Sequence, residues 1–253
     1  MIERTEAIIL KTQNFSETSR IVSAFTKQFG RMKFMAKGAR KPKSKFGASF
    51  QPGGVTQLVF YRSRHSELHT VSESDVVWDP SPLAEGGLSN QTAVALELGY
   101  KITAIESPNL AFYRNLSGFL SSLEAEGRTD SHLKLLSFFL SALNNLGYAP
   151  KLDACVNCRR ELKSGAQIFS ITEGGVLCPR CHAPEGECIH LKPAQSESLY
   201  LWNSSEKLGN LSPGDCKRLI EILTAFVNHH ISGKAKLICA KYLDPTPAHS
   251  LKH

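Results

Sequence analysis

Four cysteines stand in two pairs of equal spacing, Cys155-Val-Asn-Cys158 and Cys178-Pro-Arg-Cys181, with nineteen residues between the pairs. A C-x-x-C turn aims two thiolates at one point, and two such turns at this separation complete a tetrahedral set around one zinc ion. Four thiolates close the coordination sphere and leave no position for a reactive water. The expected role is therefore structural: one Zn2+ held by Cys155, Cys158, Cys178 and Cys181, accounting for most of the folding free energy of a small ribbon-like module. His182, Cys188 and His190 are near enough in sequence to replace one cysteine but are read as bystanders. Cys216 and Cys239 fall in helical pattern, where a lone cysteine behaves as a small hydrophobe. The cysteine total of seven is odd, and the paired spacing in an intracellular chain favours metal over disulfides.

The second group able to do chemistry is basic. Residues 31–45, RMKFMAKGARKPKSK, hold Arg31, Lys33, Lys37, Arg40, Lys41, Lys43 and Lys45 and no acid; Glu17 is the last carboxylate before them and Glu67 the next after. The net charge of +7 over 253 residues is modest, so its concentration here is the footprint of a surface that meets phosphates. Strand parity divides the run. Met32, Phe34 and Ala36 point one way and Arg31, Lys33, Met35 and Lys37 the other. Gly38 to Gly47 contains Gly, Pro and Ser and reads as a mobile basic loop. Phe46 and Phe50 are candidates to stack bases beside it, with a place in the core the commoner role for phenylalanine here.

No arrangement for bond-making chemistry emerges. His65-Ser66-Glu67 is an H-x-E triplet, but the cysteine pair that would complete a deaminase centre is preceded by Leu177 rather than proline. There is no G-x-x-x-x-G-K-[ST] and no G-x-S-x-G. His229-His230 lacks a nearby ligand partner. The expected activity is binding, not catalysis. No apolar run reaches membrane-spanning length, and MIERTEAIIL is not a signal peptide, so the chain is expected to be soluble and cytoplasmic.

The elements that must position these groups follow from periodicity. Residues 5–11, 19–26, 31–37, 55–61, 66–71 and Val76–Trp78 have strand character, with a turn at Gln28-Phe29-Gly30 and a hairpin around Arg62–His65. Short strands without a long helix predict a five-stranded barrel of the OB type, an SH3-like barrel being the rival on pattern alone. Pro80, Pro82 and Glu85-Gly86-Gly87 mark a boundary. Helical stripes then run through 90–106, 109–125 and the stretch from Ser131, the expected N-cap, to Gly147. They resume at Ala194–Leu201 and from Ser212-Pro213, an N-cap followed by proline. The fold class is α+β: an OB-fold barrel at 1–80, a helical bundle at 83–150 and 192–243, and a zinc module at 151–191 inserted in the helical domain. Residues from Asp244 onward read as a frayed tail.

Taken together, F-S-E-T-S-R-I-V (Phe15–Val22), the F-T-x-x-F-G-R of Phe25–Arg31, A-K-G-A-R-K-x-K-S-K-F-G (Ala36–Gly47) and the later paired C-x-x-C resemble the RecO family of bacterial recombination mediators over essentially the whole chain. The resemblance implies an N-terminal OB-fold, a helical domain and an embedded zinc module. It also implies binding of single- and double-stranded DNA, annealing of complementary strands, and association with RecR and with the acidic tail of single-stranded-DNA-binding protein. The family's function is to help RecA displace that protein. Members without the cysteines exist, so zinc is not implied in the core activity. The competing readings are a protein–protein adaptor whose basic face takes an acidic tail, and a zinc-ribbon transcription factor.

Overall fold

The computed structural model describes residues 1–127, 129–162, 168–181, 188–205, 207–231 and 236–243. The chain divides into two compact units, Met1–Gly127 and Arg128–His253. His182 and the tail from Asp244 lie outside the described residues.

In the first unit five strands close into a barrel: β1 (Ile2–Asn14), β2 (Arg20–Thr26), β3 (Gly30–Ala36), β4 (Val55–Tyr61) and β5 (Leu68–Trp78). Their order is β1-β2-β3-β5-β4, antiparallel except for a short parallel seam that pairs Lys33–Met35 with Leu68–Thr70. This is the strand order of the expected OB barrel. Alternation sends Ala7, Ile9, Val22, Ala24, Met32, Phe34, Ala36, Leu58, Phe60 and Val71 into one core. The β2–β3 turn needs glycine twice over. Gly30 has φ +72°, and a Cβ there would lie 2.1 Å from the Ser107 carbonyl oxygen.

Two expectations change here. β5 is one strand from Leu68 to Trp78 rather than two segments at 66–71 and 76–78. Its polar centre, Ser72 to Asp75, carries no hydrophobic alternation, yet the ladder to β4 continues through it with register shifts at Val55/Thr56 and Val59/Phe60. Met35, expected on the outward face with the cations, is buried.

The outer side of the barrel is covered by α1 (Ser81–Glu85), α2 (Ser89–Ile102) and α3 (Leu110–Glu126). α2 packs on β1 and β2, and Phe112 of α3 meets Phe25 edge-to-face with ring centres 4.8 Å apart. β2 is therefore buried on both sides. α2 stops at Ile102, short of the expected 106, because Thr103 turns extended and its hydroxyl donates to the Gly99 carbonyl. α3 begins after Asn109, whose side chain accepts the Phe112 N–H, an N-cap that the hydrophobic stripe alone does not reveal.

In the second unit α4 (Ser131–Asn145) packs on α6 (Pro213–His230), with α5 (Pro193–Ser205) between them in sequence. Ser131 is the first residue of α4, not its cap; Asp130 holds the cap position at φ 53° without a side-chain bond. Gly147, φ +76°, ends α4 as expected, and Tyr148 N–H reaches back to Leu143. Ser212 caps α6 by accepting the Asp215 N–H. Between α4 and α5 lies a three-stranded sheet, β6 (Ile168–Ser170), β7 (Gly175–Leu177) and β8 (Cys188–His190), in the order β7-β6-β8. The sheet lies within the expected ribbon-like module, and β8 follows its second cysteine pair. No described helix is long and apolar enough to cross a membrane.

Candidate nucleic-acid interface and metal centre

The basic residues all lie in the first unit but in different states. β3 fixes the parity of Arg31 and Lys33, and Lys37 follows its end. Arg31 is half-buried: its Nε donates to the Thr103 carbonyl at 2.9 Å and its guanidinium lies 5.1 Å from the centre of the Tyr100 ring. Lys33 faces Glu67 at 3.6 Å. The run free of acids in sequence is thus not free of them in space, because the parallel seam sets Lys33 opposite Leu68, the neighbour of Glu67. Lys37 is exposed.

The segment from Gly38 to Gly54 is a chain of tight turns rather than the mobile loop expected. Lys41 N–H bonds Gly38, Ser44 bonds Lys41, Ser49 bonds Phe46, and Gly54 bonds Gln51, at 2.9 to 3.1 Å. Phe46 and Phe50 anchor it. Both are buried in the barrel core with ring centres 5.2 Å apart, so neither is available to stack on a base. They plug the barrel, and the Thr12 hydroxyl bonds the Phe50 carbonyl at 2.7 Å. On this base Arg40, Lys41, Lys43 and Lys45 are exposed. Arg40 bonds the β1–β2 turn, through its N–H to Thr18 at 3.0 Å and its guanidinium to the Ser16 carbonyl. Lys45 Nζ donates to Ser72 at 2.6 Å. The ammonium groups of Lys37, Lys41 and Lys43 make no hydrogen bond or ion pair with the described residues.

Sequence reasoning missed a polar knot at the barrel end. Glu106 accepts from Arg62 at 2.5 Å and faces His69 Nε2 at 3.2 Å, while Ser63 N–H donates to His69 Nδ1 at 3.1 Å. The buried ring is the Nε2–H tautomer. Burial holds His69 below its ordinary pKa despite the nearby carboxylate, and the bond from Arg62 holds Glu106 below its own. The partners are far apart in sequence, so no local signal reveals them.

In the second unit the sulfurs of Cys155, Cys158, Cys178 and Cys181 all lie within 4.8 Å of one another, with Cys158 and Cys178 3.8 Å apart. Tetrahedral metal–thiolate bonds of about 2.3 Å require sulfurs about 3.8 Å apart. Each pair sits on a knuckle: Arg159 N–H returns to Cys155 at 2.9 Å, with Arg159 at φ 60°, and Cys181 N–H returns to Cys178 at 3.1 Å. Burial raises the Cys155 thiol, but backbone N–H groups pointing at its sulfur outweigh that and bring it down to about 6; an N–H from Arg180 lowers Cys178 in the same way. Cys181, hydrogen-bonded first by Cys178, is pushed up to about 12, because thiolates crowded into one site make the last proton hard to remove. The donor set fits a metal ion and closes its coordination sphere. Cys188 and His190 are outside the cluster, and Cys216 is buried with its thiol pushed up to about 12 by desolvation. The hairpin beneath the cluster is fixed to α6. Phe169 meets Phe226 edge-to-face at 6.3 Å, and His230 Nε2 donates to the Ile171 carbonyl at 2.6 Å.

Comparison with known proteins decides the family. Residues 1–78 match the family model for the recombination protein O N terminal, and residues 92–237 match that for the recombination protein O C terminal. The chain belongs to the RecO family. Similar curated relatives are DNA repair protein RecO of Oceanobacillus iheyensis, 28% identical over 83% of this chain and 81% of the relative, and that of Bacillus subtilis, 29% identical over 84% and 82%. DNA repair protein RecO of Frankia casuarinae is 32% identical over 73% of this chain and 75% of its own. The RecO match runs through the barrel and α2 to α6, so it covers both the basic surface and the cysteine cluster. It places the chain among proteins of DNA repair and recombination.

Proposed function

We propose that this chain is a recombination mediator that binds single- and double-stranded DNA through the barrel, residues 1–80, anneals complementary strands, and with RecR helps RecA load onto DNA coated with single-stranded-DNA-binding protein. The observation that carries this is a row of exposed cations on a loop whose base is plugged into the barrel by Phe46 and Phe50. Lys37, Lys41 and Lys43 are the first to meet phosphates. Arg40 and Lys45 hold the loop and present their remaining donors, Lys33 joins when DNA competes with Glu67, and Arg31 braces the strand from behind. Such a surface reads charge and not sequence. With about five phosphates neutralised on a single strand, log K falls with log salt at a slope of about −3 to −4. Annealing follows when two strands bind at once and their repulsion is screened. The mechanism involves no bond-making step.

In the helical remainder, 83–150 and 192–243, the module 151–191 takes one Zn2+ on its four cysteines as a structural ion. Partner contacts, RecR and the acidic tail of single-stranded-DNA-binding protein, are assigned on family grounds. The test is to change Arg40, Lys41, Lys43 and Lys45 together to Glu. Loss of DNA affinity and annealing is expected; retention of both rejects the reading.

A further inference from the structure

Phe15 stands in the β1–β2 turn with 61% of its surface exposed. The turn that carries it is well built: Phe15 N–H donates to Ser19 at 3.1 Å, and Ser19 N–H to the Ser16 hydroxyl at 3.1 Å. The basic loop is fastened to this same turn through both bonds of Arg40, to Thr18 and to Ser16. Phe25, Phe34, Phe46, Phe50 and Phe60 of the barrel unit are all buried. The one strongly exposed phenylalanine of the barrel unit is thus held where the exposed lysines begin.

We infer that Phe15 is the platform on which an unpaired base of single-stranded DNA stacks. The inference deepens the DNA-binding reading and rests on it. In a duplex the bases already cover one another, so the ring has nothing to gain; an unpaired base presents a free π-face that buries the ring and is itself covered. Glu17, exposed in the same turn, makes its tip a poor place for a phosphate and leaves that position to a base. Lys37, Lys41 and Lys43, on the segment that Arg40 fastens to this turn, hold the neighbouring phosphates. The cations serve both forms of DNA alike, whereas Phe15 supplies a preference for the single strand. A stiff turn matters here, because the ring loses little freedom when a base arrives.

The experiment compares the full-length protein with Phe15→Ala, Phe15→Trp and the four-Glu loop variant. Each is titrated with a thymine oligonucleotide, the same oligonucleotide made abasic, and a duplex. One base–aromatic stack predicts that Phe15→Ala loses about tenfold in affinity for the thymine strand. Its duplex affinity, salt slope and melting temperature should stay as in the parent. Phe15→Trp should restore binding, and the added indole should be quenched by the thymine strand but not by the duplex. The parent should favour thymine over abasic strand, and Phe15→Ala should not. The proposal is overturned if Phe15→Ala binds the single strand like the parent, or loses single strand and duplex equally. Loss in the four-Glu variant with no change in Phe15→Ala rejects stacking alone; no change in the four-Glu variant rejects the DNA reading beneath it.

Discussion

The Arg31 guanidinium lies 5.1 Å from the centre of the Tyr100 ring and donates to the Thr103 carbonyl, joining β3 to the end of α2. A desolvated cation–π contact and a charge-assisted bond are together worth about 2 kcal/mol. Arg31→Ala should therefore lower stability by about that amount in urea unfolding, while leaving the salt slope of DNA binding unchanged. A drop in slope with unchanged stability would return Arg31 to the phosphate-binding set.

Lys37, Lys41 and Lys43 should behave in the opposite way. Changing all three to Ala should leave the melting temperature within a degree or so of the parent. The single-strand salt slope should become shallower by about 0.7 for each phosphate no longer neutralised. Fluorescence anisotropy at a series of salt concentrations reads both the slope and the affinity.

Phe46 fills core space from within a loop. Phe46→Ala should cost about 3–5 kcal/mol, the range for emptying a buried aromatic site. It should also free the turns from Lys41 to Gln51. Limited trypsin proteolysis should then cut after Arg40, Lys43 or Lys45, where the parent resists. An uncut loop in a destabilised variant would show that the turns hold themselves without the plug.

His69 makes the barrel sensitive to acid. Its folded pKa lies below the ordinary 6.5, so below that value the unfolded chain binds the proton that the folded chain refuses. Stability is full above about 6.5 and falls as pH drops toward the folded pKa. Glu106, held below its usual 4.5, acts in the same direction at lower pH: its contribution is present above 4.5 and lost as its carboxylate protonates. The urea midpoint should decline as pH falls below about 6.5, and His69→Gln should flatten that decline.

Chelation should act on the second unit alone. Removing metal from Cys155, Cys158, Cys178 and Cys181 should speed hydrogen exchange at Ile168–Ser170 and Gly175–Leu177, strands of three residues each beside the cysteine knuckles. Exchange in β1 to β5 and the salt slope should not move. If DNA affinity falls with metal, the cysteine module contributes to the interface.

What the sequence made legible was local. The cysteine spacing is a property of two turns, and the structure brings all four sulfurs together. The alternation of Met32, Phe34 and Ala36 is a property of one strand, and all three side chains are buried in the barrel core. What stayed hidden depended on partners. The stripes of 90–106 and 109–125 announce amphipathic helices, but a stripe does not say which apolar surface it meets; α2 and the start of α3 meet β1 and β2 of the barrel. The Gly, Pro and Ser of residues 38–47 read as mobility, because nothing local shows that Phe46 and Phe50 turn inward. Lys33 looked free until the β3–β5 register set it near Glu67.

The parallel seam between β3 and β5 has a consequence for crowding. By closing the ring over Lys33–Met35 and Leu68–Thr70 it leaves the barrel less unpaired strand edge than an open sheet would have. Many copies gathered along one DNA strand would face one another at very high local concentration, the condition under which open sheets join and fail to separate. The seam leaves a neighbour less backbone edge to join, so such a cluster can disperse when the DNA is released.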